Sequence, residues 1–477
     1  MNTSALQPSI YNDPIEHFLD LIEHTRFEDL PPDVVEAATV FFMDTVGVAC
    51  AGRLAPKLDD LRSASRGWSA QPEKGPHIWN SGERTSEAVA ALVNGYQCHA
   101  LEYDCVYEPG VILPTPPIFA ALIARAETLS SLGRTPTGKD LIRAFTVAVE
   151  VSSTLGAATR SSMFFFRPAT TGTFSALAAL ACLDPLPRDQ LRFAFGIAYS
   201  QMCGPMQAHE EGSMMLAMQM GFAARNAVQA HDMARMGITA PVQLLGGRFG
   251  FFYNFEREND LEAALREMAK PWKVTRLSHK PFPSGRVTHG VIHTMRQLRQ
   301  AHGITPENAL EKITSIEVCL PPLGMRLVGR PMIHHPPSNY ARLCIPFLAA
   351  AEVFYGSVDP STFSTEHLNN PKVETLARQV VTREVSHPNP NAFYPQTLTL
   401  KLGDGQVIVR EIPFAWGHPD MALTPQERED KFRLCWHLKY EETAANESRM
   451  ENTLSWLRAL PDQQDTTALF TLLSSKA

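Results

Sequence analysis

Three ionisable side chains, His99, Glu102 and Asp104, lie within six positions of the stretch HALEYDCVYEPG. Apolar sequence with a helical pattern flanks this stretch on both sides. A connector with only a structural role would need no more than a turn between the two helices. On a helix, His99 and Glu102 are three residues apart and share a face, whereas Asp104 is expected beyond the helix end. Neighbouring carboxylates raise one another's pKa, which suits proton transfer. A solvated helix end is the alternative interpretation.

A second candidate is the stretch LSHKPFPSGRVTHGVI, in which Lys280 and Arg286 flank a turn built from Pro-Phe-Pro-Ser-Gly. His289 opens the next predicted helix, whose N-terminal amides would favour an anion. The pattern indicates a carboxylate cradle, with an ordinary exposed turn as the alternative. Further along, Arg342 enters an otherwise apolar helix and needs a carboxylate partner, from the protein or from a ligand.

Composition limits the classes of function. The chain has 477 residues, 44% of them apolar and 19% charged, which is enough for two or three domains with a sizeable core. The 43 basic and 50 acidic residues give a net charge of -7 without long charged runs. The sequence therefore predicts a small-molecule partner and no nucleic acid.

Cysteine usage and the start of the chain predict a compartment. The eight cysteines form no C-x-x-C pair, which is typical of reduced thiols rather than of a disulfide framework or zinc site. The His-x-x-Glu spacing at 99–102 lacks a second histidine-rich pair, so we predict no metal. The first residues show no basic region followed by an apolar stretch, and no segment has eighteen uninterrupted apolar residues. We predict a cytoplasmic protein with no membrane partner.

Hydrophobic periodicity predicts a mainly α fold. Most of the sequence from residue 14 to 270 has helical periodicity. Several of these stretches would form helices that are apolar on nearly every face, which indicates that they are buried inside a large bundle. The predicted helical stretches there are 34–51, 86–102, 117–132, 139–160, 173–183, 188–203 and 219–236. After Pro271, KITSIEVCLP alternates like a strand, and QTLTLKLGDGQVIVREI is a hairpin signal.

These elements divide the chain into an all-helical domain and a smaller insertion. The helical stretch ARLCIPFLAAAEVFYGSV lies between the strand signals, and TPQEREDKFRLCWHL returns to helix. We therefore predict a large all-helical domain built from both chain ends, with an inserted smaller α+β lid domain. The predicted parts are 1–272 for the first helical segment, 273–411 for the lid, and 412–477 for the helical return.

The order of several motifs resembles the MmgE/PrpD family, which includes 2-methylcitrate dehydratases, cis-aconitate decarboxylases and iminodisuccinate epimerases. The motifs are N-G-x-x-x-H-A-L-E-Y-D, RPATTGTFSALAALA, EEGSMMLAMQMGFAARNAVQAHDMARMGITAP, HKPFPSGRVTHGVI, YARLCIPFLAAA and GHPDMALTPQEREDKF. The resemblance covers essentially the whole chain. It implies a helical body with an α+β lid, an active cleft between them, a homodimer, and chemistry that needs no metal or organic cofactor.

The resemblance also implies site residues. Glu102 stands where relatives have the first Asp of a D-F-D-D-T motif, and Asp104 matches the second. Lys280 matches the lysine of the lid motif, and His289 and Arg342 keep their expected types. The shared chemistry moves a proton on carbon next to a carboxylate, so a base and a carboxylate clamp are both needed. The predicted catalytic residues are Asp104 as the base with His99 behind it, Glu102, Lys280 as carboxylate clamp or proton donor, and His289.

Several cleft positions depart from the family pattern. Relatives have Thr where this chain has Cys105-Val106, and at five further positions a polar or charged family residue is replaced. These replacements are Leu113 for histidine, Arg167 for histidine, Leu216 for lysine, Gly285 for histidine and Phe347 for tyrosine. Such changes remove proton donors and make the cleft drier, which disfavours the decarboxylase reaction.

The sequence therefore favours a hydro-lyase that acts on an alkylated citrate-like acid. The apolar replacements suit an apolar substituent on the substrate. The loss of the lysine at Leu216 and the gain of Arg167 would move the contact with a substrate carboxylate to another position in the cleft. The predicted substrate-binding residues are Arg167, Arg342, Arg286, Val106, Leu113, Leu216 and Phe347. One alternative is an epimerase or isomerase of a substituted dicarboxylic acid, and another is a non-catalytic paralogue with a binding or assembly role.

Overall fold

The computed structural model describes residues 12–69 and 73–476, most of which are helical. The helices are α1 (Glu16–His24), α2 (Pro32–Ala51), α3 (Leu58–Ser65), α4 (Glu87–His99), α5 (Thr115–Ser131), α6 (Gly138–Ala158), α7 (Arg167–Leu183), α8 (Arg188–Ser200), α9 (Gln207–Glu210), α10 (Met215–Arg235), α11 (Leu261–Arg266), α12 (His289–Ala301), α13 (Ala309–Lys312), α14 (Pro322–Val328), α15 (Ser338–Ala341), α16 (Ile345–Tyr355), α17 (Thr365–Leu368), α18 (Pro371–Ala377), α19 (Pro425–His437), α20 (Ala444–Arg458) and α21 (Thr467–Ser474). The strands are β1 (His77–Ile78), β2 (Glu83–Arg84), β3 (Ile313–Leu320), β4 (Val380–Glu384), β5 (Gln396–Leu402) and β6 (Val407–Ile412). The fold is mainly α with a small α+β portion, as the hydrophobic periodicity predicts.

The long helices α2 and α4 to α8, with α10, pack around one apolar core. Phe42, Phe119 and Phe145 meet edge to face at its centre, where aromatic pairs of this geometry are favourable. The C-terminal helices return to the same core through Phe432 and Trp436 of α19. The nearly all-apolar stretches are thus buried within one chain, because helices without a polar face need partners on every side.

Helices α4 and α10 approach each other closely at a pair of glycines. A Cβ atom placed on Gly95 would lie 2.8 Å from the Cα of Gly221, and one on Gly221 would lie 2.1 Å from the carbonyl oxygen of Leu92. Only residues without a side chain permit this contact. It places the C-terminal end of α4 beside the N-terminal part of α10, and both ends contribute to the candidate site.

The larger sheet has four strands in the order β4-β3-β5-β6. Strands β3 and β4 run parallel, whereas β5 is antiparallel to both β3 and β6; Val318 pairs with Thr382 and with Leu398. The predicted strand at β3 and the predicted hairpin of β5 and β6 are confirmed. Strand β4 was not predicted, because VVTRE lies on a largely exposed edge and shows no clean alternation.

A second apolar cluster covers this sheet with α12 and α16. Most of its residues lie between Phe282 and Ile412, but Val111, Met163 and Leu216 of the helical part also belong to it. Residues from both parts of the chain therefore share this second cluster. The domain boundaries at 272 and 411 stay predictions.

Two helical segments, Pro32–Leu54 and Gly138–Ala158, are long and apolar enough to cross a membrane by length and composition alone. In their most apolar windows, 72% and 89% of the residues are buried inside the structure. Both segments pack against other helices of the first core. All eight cysteines lie in the described part of the chain and are unpaired.

Candidate active site

The predicted ionisable cluster lies where α4 ends. The helix terminates at His99, and the backbone amide of Glu102 donates a hydrogen bond to the carbonyl of His99 at 2.8 Å. Glu102 has a φ of +53°, in the left-handed region that costs free energy for a residue with a side chain. This turn reverses the chain directly after the helix. It separates the directions in which Glu102 and Asp104 leave the backbone.

His99 lies between two carboxylates and is fully buried. Its Nδ1 is 2.8 Å from Oδ1 of Asp104, and its Nε2 is 3.3 Å from Oε1 of Glu102. Burial disfavours the charged ring, but the two neighbouring carboxylates outweigh it and raise the pKa of His99 to about 10. His99 is therefore an imidazolium at neutral pH, which makes it a proton donor rather than a base.

Lys280 reaches the same carboxylate from the other side. Its Nζ lies 2.9 Å from Oε2 of Glu102 and 3.2 Å from the Glu102 carbonyl oxygen. Backbone bonds between Val106 and Ser278 join the two segments, which brings Lys280 beside the turn. Burial raises the pKa of Glu102, but Lys280 and His99 outweigh it and hold that pKa well below its usual range. Glu102 is thus ionised between two cations.

Glu102 and Lys280 line a cavity with about 550 Å³ of space between atoms, a volume that includes open solvent at its mouth. The only other ionisable groups among its described lining residues are His209 and Arg286. The remaining lining residues are Val106, Val111, Leu113, Met163, Phe166, Pro168, Leu216, Gly285, Val287, Leu327, Val328, Leu343 and Phe393. Val106, Leu113 and Leu216 therefore lie where the sequence analysis expects them, and the cavity wall is overwhelmingly apolar.

A smaller chamber is also lined by Glu102. It has about 280 Å³ of atom-free space, and Glu102, Leu216 and Leu343 line both spaces. Its polar lining consists of Glu102, His99, Ser213 and Asn339. The Nε2 atom of His99 is buried and has no well-formed hydrogen bond, since Glu102 is at ion-pair distance only. Glu102 thus separates an apolar space from a small polar one.

The structure does not place Asp104, the predicted base, at either space. Asp104 is fully buried behind the His99 ring and lines neither space. Because the left-handed turn at Glu102 directs that side chain outward, Glu102 is the carboxylate in contact with the cavity. Asp104 instead orients the His99 ring through its contact with Nδ1 of His99.

Two arginines predicted as carboxylate clamps also lie outside the cavity lining. Arg167 is fully buried; its Nε donates to Oε1 of Glu256 at 2.9 Å and its Nη1 to the carbonyl of Gly110 at 3.0 Å. Arg342 is buried as well and donates through Nη1 to the carbonyls of Leu101 and Pro283. Neither guanidinium lines the cavity. Both are held by groups of the protein, which the sequence could not show.

Arg286 does line the cavity, but its guanidinium is occupied. Its Nε lies 2.7 Å from Oε1 of Glu108, and its other nitrogens donate to the carbonyls of His279, Ala415 and Trp416. A substrate carboxylate would have to compete with all of these acceptors. The predicted binding role of Arg286 is therefore reduced to shaping the wall.

His289 and Phe347 do not line the cavity, contrary to prediction. His289 is fully buried; its Nε2 lies 3.2 Å from the carbonyl of Ser284, and its ring meets Phe282 edge to face. Burial and then Arg286 hold the pKa of His289 well below its ordinary value. Phe347 is also fully buried and packs against Phe363. Both residues are buried in the part of the chain that follows Pro271.

His209, in the short helix α9, was missed by the sequence analysis. It lines the cavity, and its Nε2 lies 3.0 Å from the carbonyl of Leu327. Burial, followed by the neighbouring Arg330, lowers the pKa of His209 to about 4, so its ring is neutral at pH 7. In the sequence, His209 directly precedes the family motif that begins EEGSMM, and an ionisable residue beside that motif was the available signal.

Among the described residues, one group has the ligand spacing for a metal ion, and it lies away from the cavity. It consists of exposed Asp20, Glu23 and His24. Two of these acids already pair with Arg188. Exposed acidic groups of this kind are common without a metal, and the expectation of a cofactor-free reaction stays a prediction.

Comparison with known proteins gives matches along nearly the whole chain. The model of the MmgE/PrpD N-terminal domain matches residues 16–264, and that of the MmgE/PrpD C-terminal domain matches residues 282–455. Cis-aconitate decarboxylase of Mus musculus is 25% identical over 96% of this chain and 93% of its own length. The Homo sapiens protein of that name is 26% identical (96% and 94%), and one from Aspergillus terreus is 24% identical (81% and 81%).

Proposed function

Because the chain belongs to the MmgE/PrpD family, we propose that it is a cofactor-independent lyase that moves a proton on the carbon next to a carboxylate. Its favoured reaction is dehydration of a 2-methylcitrate-like or otherwise alkylated citrate-type acid. The observation that carries this proposal is the Glu102 carboxylate held between His99 and Lys280 at the end of an apolar cavity. The related cis-aconitate decarboxylases support a lyase that acts on an acid of this type.

The ion pair between Glu102 and Lys280 gives the site a way to respond to a carboxylate. A substrate carboxylate would attract the Lys280 ammonium, which is otherwise bound to Glu102. Loss of that contact would weaken the stabilisation of ionised Glu102 and raise its pKa, since Lys280 is the strongest neighbouring charge. Substrate binding would thus make Glu102 a better base.

The proton transfers of such a dehydration balance among Glu102, His99 and the substrate. Glu102 accepts the proton from the α-carbon, the carbon–oxygen bond breaks, and His99 gives its Nε2 proton to the departing hydroxyl, which leaves as water. The product contains a new carbon–carbon double bond. Glu102 is then protonated and His99 neutral. Because Oε1 of Glu102 and Nε2 of His99 are 3.3 Å apart, a proton passing between them restores the starting state.

The apolar wall favours dehydration of an alkylated acid over decarboxylation of an unsubstituted one. Leu113 and Leu216 line the cavity at positions where the family resemblance implies histidine and lysine. Arg167 cannot replace the lost cation, since its guanidinium is bound to Glu256 inside the protein. A citrate-type acid carries three carboxylates with or without a substituent, so the few free cations of the cavity do not distinguish the two; the apolar side chains would favour the acid that also carries an alkyl group.

An epimerase or isomerase is the second candidate, and one observation favours it. His209 lines the same cavity as Glu102 and is neutral at pH 7, so it could exchange a proton with the other face of a substrate carbon. The third reading, a non-catalytic paralogue, would be supported by the absence of any reaction.

The assembly and compartment predictions also remain proposals. The family resemblance alone supports the homodimer, because the nearly all-apolar helices are buried in the chain's own core. A cytoplasmic location is supported by the eight unpaired cysteines. We retain both as proposals, together with a small carboxylic acid as the partner.

The decisive experiment is incubation in deuterated water with a panel of substituted succinates and citrates, followed by NMR of the α-hydrogens. Alkene signals support the dehydratase, exchange without a new product supports the epimerase, and released CO₂ supports a decarboxylase. Glu102→Gln, which keeps the side-chain shape but removes the base, is the matched control. Signals of equal strength from this variant would contradict the assigned role of Glu102.

A further inference from the structure

Three consecutive carbonyl oxygens of the turn after α4 each accept a hydrogen bond from a different cationic side chain. The Leu101 oxygen accepts from Nη1 of Arg342 at 3.0 Å. The Glu102 oxygen accepts from Nζ of Lys280 at 3.2 Å, and the Tyr103 oxygen accepts from Nζ of Lys431 at 2.9 Å. Carbonyls near a helix C-terminus lack intrahelical partners and carry partial negative charge, which favours cations there.

Arg342 connects the turn to the lid segment that carries Lys280. Its Nη1 also donates to the carbonyl of Pro283 at 2.8 Å, three residues beyond Lys280. Its guanidinium lies over the ring of Phe363 at 3.9 Å, and the residue is buried. The described structure shows no carboxylate within ion-pair distance of Arg342. Its polar contacts are therefore directed at the backbone on both sides of the Glu102–Lys280 pair.

Lys431 holds the turn from the opposite side. It belongs to α19, and its Nζ lies 2.8 Å from Oδ1 of Asp44 in α2. The same ammonium lies 4.3 Å from the centre of the Tyr103 ring. Lys431 is almost completely buried, and its charge is matched by Asp44. The C-terminal helical segment thus reaches the backbone next to Glu102.

We propose that Arg342 and Lys431 are positioning residues that hold Glu102 in its left-handed conformation when Lys280 turns toward a substrate carboxylate. The proposal rests on the proposed function for that movement of Lys280. Since Lys280 binds both the carbonyl and the carboxylate of Glu102, its departure removes both contacts at once. The bonds to Leu101 and Tyr103 remain, and they keep the strained turn from relaxing.

The test replaces Lys431 without leaving an unpaired buried charge. Lys431→Met alone would strand Asp44, so the variant is the double substitution Asp44→Asn with Lys431→Met in the full chain. A matched control is Lys439→Met, because Lys439 is a similarly buried lysine that donates to the carbonyls of Leu472 and Leu473, away from the site. Chemical denaturation verifies that each variant is folded.

The first readout needs no substrate. NMR of isotope-labelled histidine follows the protonation of His99, whose imidazolium depends on Glu102 and Asp104 remaining against the ring. In the Lys280→Met background, which removes the two contacts that a departing Lys280 would break, we expect the double substitution to lower the pKa of His99 by about one unit or more, and Lys439→Met to leave it unchanged. An unshifted His99 titration after the double substitution in that folded background would overturn the proposal.

The second readout is turnover of whichever acid reacts in the deuterated-water panel. We expect kcat of the double variant to fall about tenfold with KM within about twofold, because the base is misplaced while the cavity is intact. Unchanged kcat would overturn the positioning role. If no acid reacts with the wild-type chain, the proposed function fails, but the His99 titration still decides whether Lys431 positions Glu102.

Discussion

The Nζ of Lys280 lies 2.9 Å from Oε2 of Glu102, although the two residues are 178 positions apart in the chain. Each neutralises the other at the edge of a cavity whose remaining wall is mostly apolar. A carboxylate ligand must therefore compete with Glu102 for the ammonium, and this competition is the basis of the first prediction.

Lys280→Met and Glu102→Gln should each lower turnover by about 10²-fold or more, because one removes the carboxylate clamp and the other the base. Lys280→Met should also raise KM. The measurement is steady-state product formation with the reactive acid from the panel. Lys312→Met is the control, since this lysine is exposed and donates only to the carbonyls of His302 and Gly303. Wild-type turnover in both site variants would contradict the assignment.

Stability should fall as pH rises from about 6.5 to about 10. The pKa of His99 is about 10 in the folded state against 6.5 for an ordinary histidine, so the folded chain holds a proton that the unfolded chain releases in this interval. The resulting loss is roughly 1.4 kcal/mol per pH unit. Urea denaturation across this range measures it, and His99→Gln should remove the slope. An identical slope in that variant would assign the effect to another group.

Leu216→Lys should shift substrate preference from the alkylated acid toward its unsubstituted counterpart. The new ammonium would enter the wall shared by the two spaces beside Glu102. We expect the ratio of kcat/KM for the unsubstituted tricarboxylate to that for the alkylated one to rise about tenfold or more, because a charge replaces the apolar contact with the substituent. Leu216→Met, of similar volume and no charge, is the control. A ratio that rises equally in both variants would show that shape rather than charge determines preference.

Arg167→Met should destabilise the fold by about 3–5 kcal/mol, because it leaves Glu256 buried without its partner. Adding Glu256→Gln should recover most of this loss in a denaturant titration. KM should remain near the wild-type value in the double variant, since Arg167 does not line the cavity. A strongly raised KM would restore Arg167 as a substrate clamp.

Light scattering should give the mass of two chains, which is the expectation from the family resemblance. The measurement should be repeated over a range of protein concentrations, because a weak dimer dissociates on dilution. A mass of one chain throughout that range would contradict the homodimer proposal without affecting the assignment of Glu102.

Sequence periodicity was sufficient for the helices, since an all-apolar stretch of helical length needs a buried position. It was also sufficient for the β5–β6 hairpin, where Gly403 to Gly405 mark the turn. Sequence periodicity could not predict the directions of the side chains in the site. A single left-handed residue, Glu102, decides which carboxylate faces the cavity, and spacing does not reveal φ.

The partners of buried arginines were equally hidden. Arg167 and Glu256 form an ion pair although they are 89 positions apart in the chain, and the sequence around either residue does not indicate the other. Arg342 donates through Nη1 to backbone carbonyls, which every residue possesses. The sequence could show that these charges needed compensation but not whether protein or ligand supplied it.

The contact between Gly95 and Gly221 limits how this scaffold can diversify. Any side chain at either position would push α4 and α10 apart and would separate Glu102 from the wall that holds Leu216. New substrate preferences should therefore arise by exchanging the side chains of the wall, while the distance between the two helices stays constant. Laboratory evolution of this chain should accumulate substitutions at Leu113 and Leu216 and retain both glycines.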